Sequence, residues 1–295
     1  MSLGAVTRPW SAVPALALVR AARPRQWLKN LLVLAAPMAA GVLGNARDLL
    51  HALLVLAAFC LAASGSYLLN DASDVAADRL HPRKRHRAVA SGAVSVGAAR
   101  VTGVVLLVLA PPLAALTGSW QPPAVVAGYL ALTLSYTVWL KHQEVVDLIA
   151  VAGCHVLRAF AGAVAVGVPV TGWFLVVVSL AALQLVAGKR EAELRARGVS
   201  GTRSTLAAYP PGYLTQVRIM ASGAMIVTYC LWALNAHDNV FYGLSIVPFL
   251  LLVLRHNLLV ERGSGEEPEE LVLRDRPTLV FSAALVALVA LGIYT

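Results

Sequence analysis

A cluster of carboxylates stands at the end of one long apolar stretch of the sequence. Asp71, Asp74 and Asp78 follow Asn70 at the spacing i, i+3, i+7. On a helix this spacing places the carboxylates on one face, where like charges repel each other. Mg²⁺ would remove that repulsion, because it prefers a few carboxylate oxygens together with water and phosphate oxygens. We predict that these three acids are catalytic and bind the metal, with Asn70 contacting substrate; solvated acids neutralised by arginines are the alternative.

Basic side chains crowd the segment that follows. They are Arg79, Arg83, Lys84, Arg85 and Arg87. Arginine binds phosphate oxygens through two parallel hydrogen bonds and lysine acts as a point charge, so a metal and these cations could share one polyphosphate. We predict that Lys84, Arg85 and Arg87 bind substrate. Anionic lipid headgroups are the alternative ligand.

A second polar patch contains Tyr136, Lys141, Asp147 and Arg158, all predicted to bind substrate. Asp147 and Arg158 are eleven residues apart, about three helical turns, and would lie on nearly the same face. A charge well inside a membrane is costly, so Arg158 should meet a carboxylate, a water-filled cavity or an anionic substrate. A purely structural ion pair is the alternative.

A third patch follows another apolar run and contains Lys189, Arg190, Glu191 and Glu193. We predict that Lys189 and Arg190 are catalytic and that Glu193 binds substrate. Charged residues at a helix end often only mark the membrane interface. The convergence of three charged patches favours a functional site.

The elements that position these groups must be membrane helices. The 295 residues are 59% hydrophobic and 13% charged, with a mean hydropathy of +0.73, which excludes a soluble globule. The predicted fold is an all-α polytopic membrane protein in one domain, residues 1–295, with an amino-terminal arm at 1–26 and a solvated loop at 261–275. Nine segments could span the hydrocarbon layer. They are 27–44, 50–70, 96–118, 122–140, 145–167, 171–188, 212–235, 239–257 and 277–295.

The positions of the basic residues predict the orientation. Net charge is +9, yet the Lys and Arg residues fall in alternate loops between apolar runs, which indicates a membrane surface and anionic ligands rather than nucleic acid. The opposite loops contain Arg47 as their one basic residue. We expect a plasma-membrane protein with its amino terminus and its site on the cytoplasmic side and its carboxyl terminus outside.

The acidic motif, together with Tyr136, Lys141 and Asp147, resembles the UbiA-type superfamily of intramembrane prenyltransferases over nearly the whole chain. The segments 23–30, 81–87 and 189–194 resemble more narrowly the branch that transfers phosphoribose to decaprenyl phosphate. The resemblance places Lys29 and Asn30 among the substrate-binding residues. It also implies a nine-helix bundle with a cytoplasm-facing cavity.

The implied reaction is Mg²⁺-dependent transfer of 5-phosphoribose from phosphoribosyl diphosphate to a polyprenyl phosphate, with release of pyrophosphate, in cell-wall arabinan precursor synthesis. Prenyl-transferring members usually have a second aspartate-rich motif near the sixth span, where this chain has the third patch instead. The nearest alternative is prenylation of an aromatic acceptor. A transporter is less favoured, because the charges gather at one membrane face. The expected partners are the two substrates and the lipid bilayer, and a homo-oligomer is left open.

Overall fold

The computed structural model describes residues 15–80, 84–197, 204–235, 239–263 and 274–294, and every regular element in these ranges is helical. The α-helices are α1 (Ala15–Ala21), α2 (Ala35–Ala39), α3 (Ala46–Ser73), α4 (Val75–Leu80), α5 (Val96–Ala115), α6 (Gln121–Val138), α7 (Val146–Val166), α8 (Gly172–Arg197), α9 (Ser204–Ala208), α10 (Tyr213–Asn235), α11 (Val240–Glu261) and α12 (Arg276–Tyr294). Short 3₁₀ helices cover Val42–Gly44, Lys84–His86 and Leu140–His142, and a longer one covers Pro24–Leu34.

Within the described ranges, seven helices are long and apolar enough to cross a membrane: α3, α5, α7, α8, α10, α11 and α12. The predicted span at 122–140 corresponds to α6, whose prolines, glutamine and hydroxyl side chains make it less apolar. The span predicted at 27–44 is not one α-helix, because Pro24–Leu34 winds as a 3₁₀ helix before α2 begins. The prediction of an all-helical membrane protein is confirmed, and nine crossings remain a prediction.

Helices α3 and α8, like α11, extend beyond their predicted limits. Helix α3 runs from Ala46 to Ser73, and the side chain of Asn45 caps it by accepting a hydrogen bond from the backbone N–H of Arg47 at 2.8 Å. Helix α8 continues nine residues past the predicted limit of residue 188, to Arg197. Its added turns are rich in Lys, Arg, Glu, Ala and Leu, which are strong helix formers. The third charged patch therefore lies on a helix and not in a loop.

Close contacts between helices depend on glycine. A Cβ on Gly162 of α7 would lie 1.7 Å from the carbonyl oxygen of Val33, so only glycine lets the 3₁₀ helix pack directly on α7. At the crossing of α3 and α5, a Cβ on Gly65 would lie 2.7 Å from the carbonyl oxygen of Gly103. Small residues bring membrane helices close enough for extensive van der Waals contact.

Each long helix packs against the next one in the sequence, and the last helix contacts a segment near the start of the described chain. Helix α12 contacts α2, and the Tyr294 hydroxyl donates to the carbonyl oxygen of Gly41 at 3.1 Å. One apolar core lies among α3, α5, α6 and α7 and includes Val55, Phe59 and Val126. A second joins α7 and α8 to α9 and α10. Side chains near the carboxyl-terminal ends of α6, α8 and α11 contact one another, so these ends lie at the same face of the bundle.

Candidate active site

The acidic motif spans a break between two helices. Helix α3 ends at Ser73, Asp74 is its C-cap residue, and α4 begins at Val75. Asp71 and Asp78 are buried, with 3% and 2% of their surfaces exposed, whereas Asp74 is exposed and accepts a hydrogen bond from Asn70 Nδ2 at 2.9 Å. The expectation that one continuous helical face presents all three carboxylates is therefore wrong.

Three cations surround the two buried carboxylates. Arg87 Nη1 lies 2.7 Å from Asp78 Oδ2 and 3.2 Å from Asp71 Oδ1. Arg23 Nη2 lies 2.5 Å from the same Asp71 oxygen, and Lys84 Nζ lies 3.9 Å from Asp78 Oδ1. The acidic motif and the basic segment thus form one ionic cluster, in which arginines neutralise the two buried acids, as the alternative expected. The phosphate and metal site stays a prediction.

Arg23 begins the segment 23–30 but is not among the predicted site residues. Its backbone is left-handed, with φ of 54°, and its guanidinium lies 4.8 Å from the centre of the Tyr67 ring. A non-glycine residue rarely adopts this conformation unless its surroundings impose it. Here the 3₁₀ helix begins at the next residue, and the turn directs the Arg23 side chain to Asp71.

The carboxylate oxygens of the acidic motif are ligands of the kind that suits Mg²⁺. Among the described residues, no three His, Cys, Asp or Glu side chains converge as a metal site. Asp71 and Asp78 nevertheless each place a carboxylate oxygen within hydrogen-bond reach of one guanidinium nitrogen, so both point to a common cation position. Hard oxygen donors of this kind suit Mg²⁺. The prediction that Asp74 completes the set stays a prediction.

The rest of the basic segment borders a cleft. The structure does not describe Arg83, and Arg85 is exposed and hydrogen-bonded to His86 at 3.3 Å. A cleft of about 390 Å³ lies between α1 and this segment, lined on its polar side by Arg20, His86 and Arg87. Arg87 therefore stands between the buried carboxylates and an open space.

The second and third patches meet in one cluster. Arg190 Nη2 donates to the Tyr136 hydroxyl at 2.7 Å, and Nη1 lies 3.2 Å from Glu193 Oε2. Arg190 Nε lies 3.3 Å from Asp147 Oδ2 without hydrogen-bond geometry. The sequence led us to expect these two patches on the same side of the bundle, but helical spacing did not specify the contacts of Arg190 with Tyr136 and Asp147.

Sequence analysis missed Tyr209, which follows α9 and holds this cluster. Its hydroxyl donates to Asp147 Oδ1 at 2.6 Å and accepts from the backbone N–H of Val145 at 2.6 Å. Burial and the bond to Asp147 raise the pKa of the Tyr209 phenol. Val145 has φ of 63°, a strained conformation for a β-branched residue, and Thr205 donates to the Lys141 carbonyl oxygen at 2.9 Å. Residues 205–209 thus fix the turn that carries Lys141 and Asp147.

Arg158 does not pair with Asp147, so the structural ion pair that stands as the alternative is not formed between these two residues. Its Nε donates to Asn30 Oδ1 at 2.7 Å, Nη1 to the Cys154 carbonyl oxygen and Nη2 to the Tyr129 hydroxyl, both at 2.8 Å. Eleven residues of α7 separate Arg158 from Asp147 by about 16 Å along the helix axis. Arg158 and Asn30 therefore join the 3₁₀ helix to α6 and α7 deep in the bundle, and their predicted contact with substrate is untested.

The remaining lysines of the predicted site are half-buried. Lys29 lies in the 3₁₀ helix, Lys141 in the turn before α7 and Lys189 in the last part of α8, beside Arg190. Their predicted roles stay predictions.

A further buried network, centred on Arg218 of α10, was also missed. Arg218 Nε lies 2.8 Å from Glu191 Oε2, its Nη1 donates to Asn257 Oδ1 at 2.6 Å, and its Nη2 pairs with Glu261. The side chain is 1% exposed. Its position six residues inside the predicted span 212–235 was the signal, because a charge there needs partners.

The acidic residues at the two ends of the predicted loop 261–275 form ion pairs and are not simply solvated. Glu261 ends α11 and pairs with Arg218 and Arg195. Asp275 pairs with Arg255 at 2.6 Å and accepts from the N–H and hydroxyl of Thr278 at the start of α12. The interior of this loop, 264–273, lies outside the described residues, as do residues 1–14 of the predicted arm.

The model of the UbiA prenyltransferase family matches residues 31–274. The chain belongs to the UbiA prenyltransferase family. Membership and the expected transferase class are thereby confirmed. A UbiA homolog from Archaeoglobus fulgidus, solved bound to GPP and Mg²⁺, has the same fold, with a TM-score of 0.74 over 95% of this chain and 100% of that chain at 20% identity.

Two relatives of this UbiA-family chain are named decaprenyl-phosphate phosphoribosyltransferase. The protein from Corynebacterium glutamicum is 39% identical, covering 94% of this chain and 86% of its own length. The protein from Mycolicibacterium smegmatis is 40% identical, covering 94% of this chain and 92% of its own length.

Proposed function

We propose that this protein transfers 5-phosphoribose from phosphoribosyl diphosphate to decaprenyl phosphate, or a similar polyprenyl phosphate, and releases pyrophosphate, with Mg²⁺ as cofactor. The observation that carries the proposal is 39–40% identity, over 94% of the chain, to relatives named for this transfer. The charged clusters at one face of the bundle support it, because both substrates carry phosphate.

The reaction breaks the bond between ribose C1 and the pyrophosphate oxygen and forms one from C1 to an oxygen of the lipid phosphate. Mg²⁺ held by Asp71, Asp74 and Asp78 would neutralise the charge that grows on the departing pyrophosphate. The lipid phosphate is already an anionic nucleophile, so the site needs no strong general base. C1 gains oxocarbenium character as in other glycosyl transfers, and direct displacement inverts its configuration.

The cations have a separate task. Lys84, Arg85 and Arg87 would hold the diphosphate of the donor beside the acidic motif. Lys141, Lys189 and the Arg190 cluster would hold the 5-phosphate or the acceptor phosphate from α7 and α8, and the prenyl tail would lie in an apolar groove open to the bilayer. This division suits a chain with one acidic motif and several cationic groups.

The experiment that tests the function separates it from prenyl transfer. Purified protein is incubated with Mg²⁺ and polyprenyl phosphate, and either labelled phosphoribosyl diphosphate or a prenyl diphosphate with an aromatic acid is added. We expect a lipid-extractable product from phosphoribosyl diphosphate that requires both metal and lipid acceptor. Prenylation of the aromatic acid at a comparable rate would refute the proposal.

Two classes of variant should fail differently. Asp71→Asn removes a hard anionic ligand, so turnover should collapse and the Mg²⁺ requirement should rise. Lys189→Met should mainly raise the KM for phosphoribosyl diphosphate, because a cation on a non-reacting phosphate binds ground and transition states alike. If both variants keep wild-type turnover at limiting Mg²⁺ and wild-type KM, the site is misassigned.

We also propose a plasma-membrane location with nine crossings, the site and amino terminus in the cytoplasm and the carboxyl terminus outside. Single cysteines introduced near positions 83, 197 and 265 should react only with reagents that reach the cytoplasm. Cysteines near 119 and 235 should react from outside. Mixed labelling within either group would refute the topology.

A further inference from the structure

One nitrogen atom of Arg87 occupies the point on which two buried carboxylates converge. Nη1 lies 2.7 Å from Asp78 Oδ2 and 3.2 Å from Asp71 Oδ1. Two like charges buried side by side are costly unless a cation lies between them. In this structure the guanidinium of Arg87 is that cation.

The charge balance opposes entry of a bare divalent ion. Arg23, Lys84 and Arg87 face the two buried carboxylates, so positive charges already outnumber the negative ones there. The third acid, Asp74, is exposed and bonded to the Asn70 amide. A lone Mg²⁺ would add two positive charges to this cluster, whereas a diphosphate brings more negative charge than the ion brings positive.

We propose that Arg87 is a placeholder cation: in the donor-free protein its guanidinium occupies the metal position between Asp71 and Asp78, and it yields that position when the metal enters together with the diphosphate donor. The inference rests on the proposed function for the identity of the donor. It goes further in assigning the order, since the metal binds with the donor and not before it.

The surroundings give the displaced side chain a destination. Arg87 lines the cleft of about 390 Å³ that lies on the side of α1, so its side chain can turn without repacking the core. Its planar guanidinium can then hold a phosphate of the donor through two parallel hydrogen bonds. The same residue thus neutralises the acids before the donor binds and neutralises the donor afterwards.

The test measures metal binding by the donor-free, full-length protein in detergent, with Mn²⁺ as the probe and the electron paramagnetic resonance signal of free Mn²⁺ as the readout. Arg87→Gln leaves the two carboxylates without their shared cation, so we expect it to bind Mn²⁺ about tenfold or more tightly than wild type at low salt. The same variant should have a raised KM for phosphoribosyl diphosphate. A variant that binds the cofactor better and the donor worse is the signature of a placeholder.

Arg79→Gln is the matched control, because it removes the same charge from the residue after Asp78. The Arg79 side chain donates to the Ala90 carbonyl oxygen at 3.2 Å, away from the shared cation position. We expect its Mn²⁺ affinity to change less than about twofold. An equal rise in Mn²⁺ affinity in Arg79→Gln and Arg87→Gln would show that only the loss of one positive charge matters, and it would overturn the proposal.

Two further variants keep the test decisive. Arg87→Lys retains the positive charge but lacks the parallel N–H groups of the guanidinium. Mn²⁺ binding without phosphoribosyl diphosphate should therefore stay weak, while the KM for phosphoribosyl diphosphate rises. Adding Asp71→Asn to Arg87→Gln should abolish the tight Mn²⁺ site. Unchanged or weaker Mn²⁺ binding by a folded Arg87→Gln protein overturns the placeholder, whatever the substrate. Failure of the wild-type protein to transfer phosphoribose overturns the proposed function, and the metal-binding result is read separately.

Discussion

Two arginines that share the same two carboxylate partners should differ sharply in their contribution to stability. Arg218 Nε lies 2.8 Å from Glu191, and its Nη2 pairs with Glu261. Arg195 Nη2 lies 2.5 Å from Glu191 and 2.9 Å from Glu261. The Arg218 side chain is 1% exposed and that of Arg195 is 41% exposed, so burial is the main difference between the two.

The expected magnitudes follow from that difference. Arg218→Met leaves Glu191 buried with one cation fewer and removes the donor to Asn257, and breaking a buried ion pair in this way costs about 3–5 kcal/mol. Arg195→Met removes a contact that water already screens, which costs about 0–1 kcal/mol. We expect the two variants to differ by at least about 2 kcal/mol.

The assay is equilibrium unfolding of the purified protein in mixed micelles, with the helical circular dichroism signal followed against the fraction of SDS. Both variants lose one positive charge, so a shift common to both reports net charge, and the difference reports burial together with the buried hydrogen bond to Asn257. A cost for Arg195→Met as large as that for Arg218→Met would refute the reasoning. So would a cost below about 1 kcal/mol for both.

Three further predictions address other parts of the structure. Tyr209→Phe removes the hydroxyl that fixes the turn before α7, so the KM for phosphoribosyl diphosphate should rise several-fold with little change in kcat, whereas Tyr213→Phe, on the ring stacked against it, should leave KM unchanged in the same assay. Gly162→Ala forces the 3₁₀ helix away from α7 and should lower the unfolding midpoint in SDS strongly, whereas Gly128→Ala, with open space around its Cβ position, should not. Hydrogen bonds from Arg255 and Thr278 hold the pKa of the Asp275 carboxyl well below its ordinary value, so its stabilising contribution is intact above about pH 4 and is lost as the pH falls further. The free energy of unfolding, measured as a function of pH, should fall less steeply at acid pH in the Asp275→Asn variant than in the wild type.

Much of the architecture could be predicted from the sequence, because the bilayer imposes a length and an apolar composition on each spanning helix. The seven helices that meet these criteria all correspond to predicted spans. The association of the acidic motif with the basic segment was also predictable, since Asp78 and Arg87 are only nine residues apart. The motifs that identified the family could be recognised because their residues also lie close together in the sequence.

Contacts between distant segments could not be read from spacing. Arg158 lies on nearly the same helical face as Asp147, yet it binds Asn30, which is 128 residues away, and Asp147 binds Tyr209 instead. Helical periodicity fixes which residues share a face, but it does not say which other helix covers that face.

The sequence by itself determined a membrane protein and predicted that most of its charged residues gather at one face, because the cost of placing charge in hydrocarbon acts on every segment independently. Tertiary structure alone decided which charges are buried and which cation neutralises each. Asp71 and Asp78 are enclosed and share Arg87, while Asp74, from the same motif, is exposed, because the helix breaks between them. Burial and pairing depend on the packing of elements far apart in the chain, and that packing is a property of the whole fold.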